Sequence, residues 1–592
     1  MRVVDAVAGW FAAAGIQHYF GYAGGAIWPL MDGLVDQPQI KGIQAKNEAH
    51  ATHMADVYYR ITGRLAPVVV SKGPGLLNCV GATASAMHDT SALLILAGSG
   101  STHFLGRAGM QEMYYRGFED ALSVFRPITK GAWLIVRPDQ TVDVLNTAMK
   151  VATSGRPGPV FVQLPYDIQL AEVEGEIELP ARRSATLGLR AASQHVAQVA
   201  DLIAAAERPV LLAGGGVNRS AGGPEALARA VETLGIPVVT TLPGKGVLPE
   251  THALSLGPVG RSGTGSAARA TREADLVLAI GARFSDNHTA NWRAGMIYDV
   301  PRTKIVQVDV DPAEVGRNYA VELGLISDAA GFLDDLKAAA DGRGGAGEHE
   351  AWVRQVQGYR EEWHAEIQPV VTAQQSPIHP GRLCYEVGEL LPDNAHVLVD
   401  VGDVIQYAEP YMTINRPGAW LINSGMAEMG WATEGGPGAV VADPGSVAVV
   451  LTGDGAFLMG PQVVVTAVEY GLPVIWIVLN NYGLGIELKG SKAAYQRTHP
   501  WVDFRREDTG ELYNPDFAAM SKSFGGDGER VERADDFKPA FQRALASGRP
   551  YVLDVLIDNS IPSYFVKGIT RAYPDKWAES YPGYGLLTNK RP

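Results

Sequence analysis

Cysteine is nearly absent from this chain: Cys79 and Cys384 are the only two among 592 residues. They supply neither a disulfide framework nor the paired spacing of a zinc site. Basic charge is also in short supply, with 50 Lys and Arg against 64 Asp and Glu and a net charge of −14. With no basic surplus or stripe, a nucleic-acid partner is not expected. No segment reaches the ~18 uninterrupted apolar residues that a membrane helix requires. The opening MRVVDAVAGW has no basic region followed by an apolar run, so no signal peptide is expected and the cytoplasm is the expected compartment. Short-period repeats are missing too. The acidic balance leaves anionic ligands open, because helix N-termini and metal ions hold phosphates locally.

What the chain does have is an ordinary globular composition, 46% hydrophobic and 19% charged, at a length too great for one core. Short apolar runs bounded by Gly or Pro alternate with helical patterns, the signature of doubly wound parallel sheets. PVVVS (67–71), ALLILAG (92–98) and PVFVQLP (159–165) read as buried strands of a first α/β unit, 1–175. A charged, Pro-containing linker comes next. PVLLAGGG (209–216), PVVTT (237–241), DLVLAIGAR (275–283) and KIVQVDVD (304–311) read as a second unit, 190–345. HVLVDVG (396–402), SVAVVLTGDG (446–455), PVIWIVLNN (473–481) and PYVLDVLID (550–558) read as a third, 370–560. The fold class is therefore α/β, with three doubly wound parallel-sheet domains and a C-terminal tail, 561–592. That tail carries Tyr564, Phe565, Tyr573, Trp577, Tyr581 and Tyr584 without a period. It is expected to pack on the body, as a lid over a pocket or as cover for a domain surface or subunit contact.

The strongest chemical signal is Gly453-Asp454-Gly455-Ala456, a helical stretch, an apolar strand, then Asn480-Asn481. Glycines let the backbone turn beneath a diphosphate. Asp454 offers a carboxylate oxygen to Mg²⁺, Asn481 an amide oxygen and Gly483 its carbonyl, the hard oxygen set that magnesium prefers. Both side-chain ligands lie at C-terminal strand ends, where open α/β sheets bind ligands. A Gly-Asp-Gly turn or an Asn-Asn loop alone would say little. Together, 27 positions apart in a strand–helix–strand context, they make a motif.

That motif resembles the diphosphate-and-magnesium site of the thiamine-diphosphate enzyme superfamily, and the resemblance covers nearly the whole chain. It implies a pyrimidine-binding, a central and a diphosphate-binding domain. The stretch from Glu48 to Gly63 matches the superfamily pattern Glu-x6-Ala-x2-Tyr-x-Arg-x2-Gly, with Ala55, Tyr58 and Arg60 in place. Downstream, Gly73-Pro74-Gly75 and Asn78 match the superfamily pattern too. Glu48 then corresponds to the activating glutamate, whose carboxylic acid hydrogen-bonds the aminopyrimidine so that the thiazolium carbon loses its proton. Gly425 to Gly430 resembles the segment that props the bent cofactor, with Met429 as the prop; simple core packing is the competing role for a Met.

Subfamily features point in different directions. Ile486-Glu487 resembles the pair that handles protons in 2-oxo acid decarboxylases. Acetolactate synthases tend to carry Met-Val and then a tryptophan, whereas this chain continues with Leu488-Lys489-Gly490. Simple pyruvate decarboxylases carry adjacent histidines, and this chain has no His-His pair. Gly109-Met110-Gln111-Glu112 instead resembles acetolactate synthases and 2-hydroxyacyl-CoA lyases, with Gln111 expected in the pocket. Lys245 to His252 resembles a segment of oxalyl-CoA decarboxylases and those lyases. Gly281-Ala282-Arg283 with Asp309-Val310-Asp311 resembles the branch's nucleotide site, implying ADP or FAD held by Arg283 and Asp309, and Lys245 is expected to be cofactor-binding as well. GGGVNRS (214–220) is a weak dinucleotide look-alike and is not read as an NAD site.

The expectation from these features is a 2-hydroxyacyl-CoA lyase, cleaving a 2-hydroxyacyl-CoA to formyl-CoA and an aldehyde or ketone, with Glu487 as base on the substrate hydroxyl. The alternative is an acetolactate-synthase-like carboligase or 2-oxo acid decarboxylase; a non-catalytic cofactor-binding protein is more remote. The expected cofactors are thiamine diphosphate and Mg²⁺, with ADP or FAD as a third. A small-molecule substrate, CoA thioester or free acid, is expected. The resemblance also implies a homodimer or homotetramer with active sites at subunit interfaces.

Overall fold

Strands as apolar as LLILAGS and VIWIVLN can only be stable with both faces covered, and the computed structural model covers them. All seven residues are buried in each. The structure describes residues 1–592 except 108, 118, 174–187, 293, 342–348, 496 and 563–592, with the side chains of 493–495 also excluded. Most of the 170–190 linker and the aromatic tail from Tyr564 therefore lie outside the described residues.

Eighteen strands among the described residues form three six-stranded sheets, with every pairing inside them parallel. The first contains β1 (His18–Gly21), β2 (Lys41–Gln44), β3 (Ala66–Val70), β4 (Leu93–Ser99), β5 (Ala132–Leu134) and β6 (Val160–Pro165). The second contains β7 (Pro209–Ala213), β8 (Val238–Thr240), β9 (Ser255–Pro258), β10 (Leu276–Ile280), β11 (Lys304–Asp309) and β12 (Leu323–Ile326). The third contains β13 (Ala395–Val399), β14 (Trp420–Ile422), β15 (Val447–Gly453), β16 (Val474–Asn480), β17 (Asp527–Val531) and β18 (Tyr551–Leu556).

The first and third sheets share one order, β2-β1-β3-β4-β6-β5 and β14-β13-β15-β16-β18-β17. The second runs β12-β11-β10-β7-β8-β9, the dinucleotide-fold order read from its far edge. Each sheet has an apolar cluster on either face. Among the described residues no helix is long and apolar enough to cross a membrane.

Two helices join the outer units. Asn47 starts the Glu48–Thr62 helix by accepting from the Ala49 amide at 2.8 Å, and Gly63 ends it at φ 66°. It packs on the Trp431–Ala442 helix, whose glycines permit a close approach. A methyl group on Gly438 would sit 2.3 Å from the Met54 carbonyl oxygen. The seam is polar as well as tight. Trp431 Nε1 donates to Asp56 at 2.8 Å, and the Arg60 guanidinium lies 4.5 Å from the Trp431 ring centre. His53 is held between Glu434 at 2.6 Å and Glu428 at 3.1 Å.

Candidate active site

In the third sheet the strand order reverses between β13 and β15, which opens a crevice at the strand ends. A cleft of about 670 Å³ lies there. The segments after β13, β14, β15, β16 and β18 all reach it, bringing Gly453, Asp454, Gly455, Ala456, Asn481, Gly483, Met429 and Glu487 to one surface.

Asp454 is the organising group. Its Oδ1 accepts from the Gly455 amide at 2.8 Å. Its Oδ2 accepts from Gly483 N at 3.1 Å, Asn481 N at 3.3 Å and Asn514 Nδ2 at 2.7 Å. The Asn481 side-chain oxygen accepts from the Gly483 amide at 3.2 Å, so the two side chains share a donor. Burial pushes the Asp454 carboxyl up to about 6 despite these bonds. A buried carboxylate beside an amide oxygen, backed by backbone amides, suits a hard cation. The floor is backbone: a methyl group on Gly455 would come within 2.7 Å of Leu484 Cδ2 and 3.5 Å of Met429 Cε. The thioether expected to prop the cofactor thus borders the turn expected to carry the diphosphate.

A second group forms around Glu48. This side chain is buried, and Asn78 Nδ2 donates to its Oε2 at 2.9 Å. A methyl group on Gly75 would lie 3.0 Å from Glu48 Oε1, and one on Gly73 only 2.2 Å from the Gln111 carbonyl oxygen. Glu48, Asn78 and the Gln111 backbone therefore border one turn, at Gly73–Gly75. The Gln111 side chain is exposed, and its φ is +62°. Among the described residues, every one lining the Asp454 cleft belongs to the third unit. Within one chain, the residues expected to serve one cofactor thus fall into two separate groups.

The sequence reading missed several groups in this cleft. Asp400, fully enclosed behind it, accepts from the amides of Val401 at 3.0 Å, Gly430 at 3.0 Å and Thr433 at 3.2 Å. It ties the loop after β13 to the loop carrying Met429. Asp403 and Tyr407 line one wall, and Lys489 donates to both of them. Asp400 and Asp403 come after a strand just as Asp454 does, so the strand-end rule would have found them. Asn514 had no sequence signal.

A second cleft, about 890 Å³, lies at the order reversal between β7 and β10 of the central sheet and is lined by residues of the central and first units. Arg283 and Asp309 line it, as do Arg156, Glu314 and Asp328. Gly216, Arg219 and Ser220 from the GGGVNRS run line it as well, so the run set aside in the sequence sits on the cleft wall. Burial raises the Asp309 carboxyl, and its Oδ1 accepts from the Asp311 amide at 2.9 Å. Lys245 does not join this group. It is buried elsewhere, 2.7 and 2.8 Å from the two Glu250 oxygens and 5.6 Å from the Trp420 ring centre.

A buried carboxylate and an amide oxygen on glycine turns, at the switch point of an open parallel sheet, are chemically suited to a diphosphate and a hard cation. Comparison with known proteins gives the family. The thiamine pyrophosphate enzyme N-terminal TPP binding domain matches residues 1–120, the central domain 196–336 and the C-terminal TPP binding domain 400–555. A probable acetolactate synthase large subunit of Methanocaldococcus jannaschii is 34% identical over 571 residues, covering 94% of this chain and 92% of that protein. One from Methanococcus aeolicus is 32% identical, covering 92% and 90%. Acetolactate synthase 2, chloroplastic, of Zea mays is 32% identical, covering 92% and 83%. The chain belongs to the thiamine pyrophosphate enzyme family, and to its acetolactate synthase branch. It is a thiamine-diphosphate-dependent carbon–carbon ligase or decarboxylase.

Proposed function

We propose that the protein acts on a 2-oxo acid such as pyruvate, releasing CO₂ and passing the remaining acyl unit to an acceptor. The observation that carries this is the Asp454–Asn481–Gly483 cradle, set in a chain whose relatives named above are acetolactate synthases. Those relatives favour the 2-oxo acid alternative over the 2-hydroxyacyl-CoA lyase expected from Glu487 and the missing tryptophan. The departures at Ile486-Glu487 and Lys489-Gly490 argue for an acceptor and product that differ from acetolactate formation.

In this reading Asp454, Asn481 and the Gly483 carbonyl hold Mg²⁺ and Met429 sets the bend of the cofactor. When bound, thiamine diphosphate supplies a nucleophilic carbon and an electron sink for the bond broken beside the carbonyl. Glu48 holds a proton at the pyrimidine ring nitrogen, Asn78 steadies that carboxyl, and Gln111 reaches toward the substrate. Glu487, exposed on the cleft wall, moves a proton to or from the substrate oxygen.

The separation of the two groups argues for a homodimer or homotetramer. Leu77 and Met110, next in sequence to Asn78 and Gln111, are exposed, and so are Met426, Met459 and Trp501 of the third unit. A second copy that covers these side chains would also bring Glu48 to a cleft. The central cleft is assigned to ADP or FAD, with Arg283 toward phosphate and Asp309 toward ribose.

The test is product analysis by mass spectrometry with thiamine diphosphate and Mg²⁺. One tube contains pyruvate; the other contains formyl-CoA and a small ketone. Acetolactate, acetaldehyde or another decarboxylated product from pyruvate supports the proposal. A new 2-hydroxyacyl-CoA with pyruvate untouched would return the protein to the lyase reading.

A further inference from the structure

One charged cluster at the Asp454 cleft has no place in the proposed reaction. Asp403 opens the Asp403–Tyr411 helix directly after the β13 loop and lines the cleft. Its Oδ2 accepts from Lys489 Nζ, which also donates to the Tyr407 hydroxyl at 2.7 Å. The Tyr407 hydroxyl in turn donates to the Ile561 carbonyl at 3.0 Å. The Asp403 and Lys489 side chains are only 8% and 9% exposed, and Asp403 Oδ1 has no hydrogen-bond partner among the described residues. Lys489 is thus the group that answers the Asp403 charge.

The cluster lies next to the cradle. A methyl group on Gly485 would sit 2.7 Å from Asp403 Oδ2 and 2.6 Å from Asn481 Nδ2, so both side chains border one point. Three carboxylates line the cleft, those of Asp403, Asp454 and Glu487, and no Lys or Arg is among its described lining residues. A diphosphate entering there meets like charge. A cation at Asp454 offsets part of it, which leaves Asp403.

We propose that Lys489 is a charge-compensating positioning residue for cofactor loading. By neutralising Asp403 it lets the cleft accept a diphosphate. The proposal rests on the thiamine diphosphate reading and adds a residue to it. It makes the two halves of one ion pair unequal. Removing the lysine leaves a buried bare carboxylate beside the anion site. Removing the carboxylate leaves a cation there instead. A pair that only braced the helix would weaken the protein equally from either side.

The experiment is calorimetric titration of thiamine diphosphate, with Mg²⁺ present, into the full-length protein and the variants K489M, D403N, K489R and D403N/K489M. Cofactor-free melting temperatures track their folding. The expected result is that K489M binds about tenfold more weakly or worse, while D403N binds as tightly as the parent or tighter. K489R stays close to the parent, and the double variant recovers to within about threefold of it. Equal weakening by K489M and D403N, or no weakening by K489M, overturns the proposal. Should K489M fail to fold, D403N carries the test, and about tenfold weaker binding there overturns it. Absence of binding by the parent protein would instead sink the cofactor reading itself, and this proposal with it.

Discussion

Asn514 Nδ2 lies 2.7 Å from Asp454 Oδ2 and donates to it, while also reaching Asn480 Oδ1 at 2.9 Å. One amide thereby fixes the Asp454 carboxylate to the end of the neighbouring strand. Partners that orient a ligand in this way typically govern metal affinity about ten- to hundredfold. Asn514→Ala should raise the Mg²⁺ concentration needed for half-maximal thiamine diphosphate binding by about tenfold. Turnover at saturating Mg²⁺ should change far less. A titration of Mg²⁺ at fixed cofactor checks it, and an unshifted midpoint would remove Asn514 from the site.

Glu48→Gln separates chemistry from binding. The carboxyl sits away from the Asp454 cleft within its own chain and is contacted by Asn78. Gln keeps the shape but cannot hold the acidic proton. Cofactor affinity should stay within about threefold while turnover falls by about 100-fold or more, the usual range for a lost acid or base. A cofactor titration beside a product assay reads both. Retained turnover would free Glu48 of its assigned role.

His53 makes stability depend on pH. Burial opposes its charge, but the carboxylates of Glu428 and Glu434 outweigh burial and hold the imidazolium up to about 10, against 6.5 for the free group. The folded value is the higher one, so this stabilisation is complete below about 6.5 and fades as pH rises toward 10. Thermal melts between pH 6 and 10 should show a decline that is shallower in His53→Gln, which should also be less stable than the parent at pH 6. A variant that tracks the parent curve throughout would show that His53 carries no charge across the seam.

The strands visible in the sequence were those long and apolar as well as buried on both faces. VVV in β3, LLILA in β4 and VIWIVL in β16 are continuous apolar runs of strand length bounded by turn residues. The strands that escaped notice lack that signal. Edge strands β2 (KGIQ) and β17 (DGERV) are partly exposed and polar, and three-residue β5 and β14 are too short to show a period. Site residues divide similarly. Asp454 and Asn481 were legible because a fixed spacing ties them to strand ends. The bond from Asn514 to Asp454 spans 60 positions with no pattern to announce it. The placing of Lys245 against Glu250 and Trp420, away from the nucleotide cleft, depended on packing between the central and third units.

Gly485 tests how finely the cradle is built. Its Cα lies where a methyl group would meet Asn481 Nδ2 at 2.6 Å and Asp403 Oδ2 at 2.7 Å, closer than such atoms come in folded proteins. The neighbours in the way are side-chain ends, so the backbone need not break. Overpacking of this kind costs about 1–3 kcal/mol. The strain falls on the Asn481 amide, which must turn from the position where its oxygen accepts from Gly483. Gly485→Ala should therefore fold, with a melting temperature a few degrees lower. Its affinity for thiamine diphosphate with Mg²⁺ should fall by more than that stability loss implies, by about tenfold or more, as a misplaced ligand would cause. Calorimetric titration together with cofactor-free melts decides the matter. A large drop in melting temperature with normal affinity would mean that Gly485 serves helix packing, and that Asn481 holds its place without it.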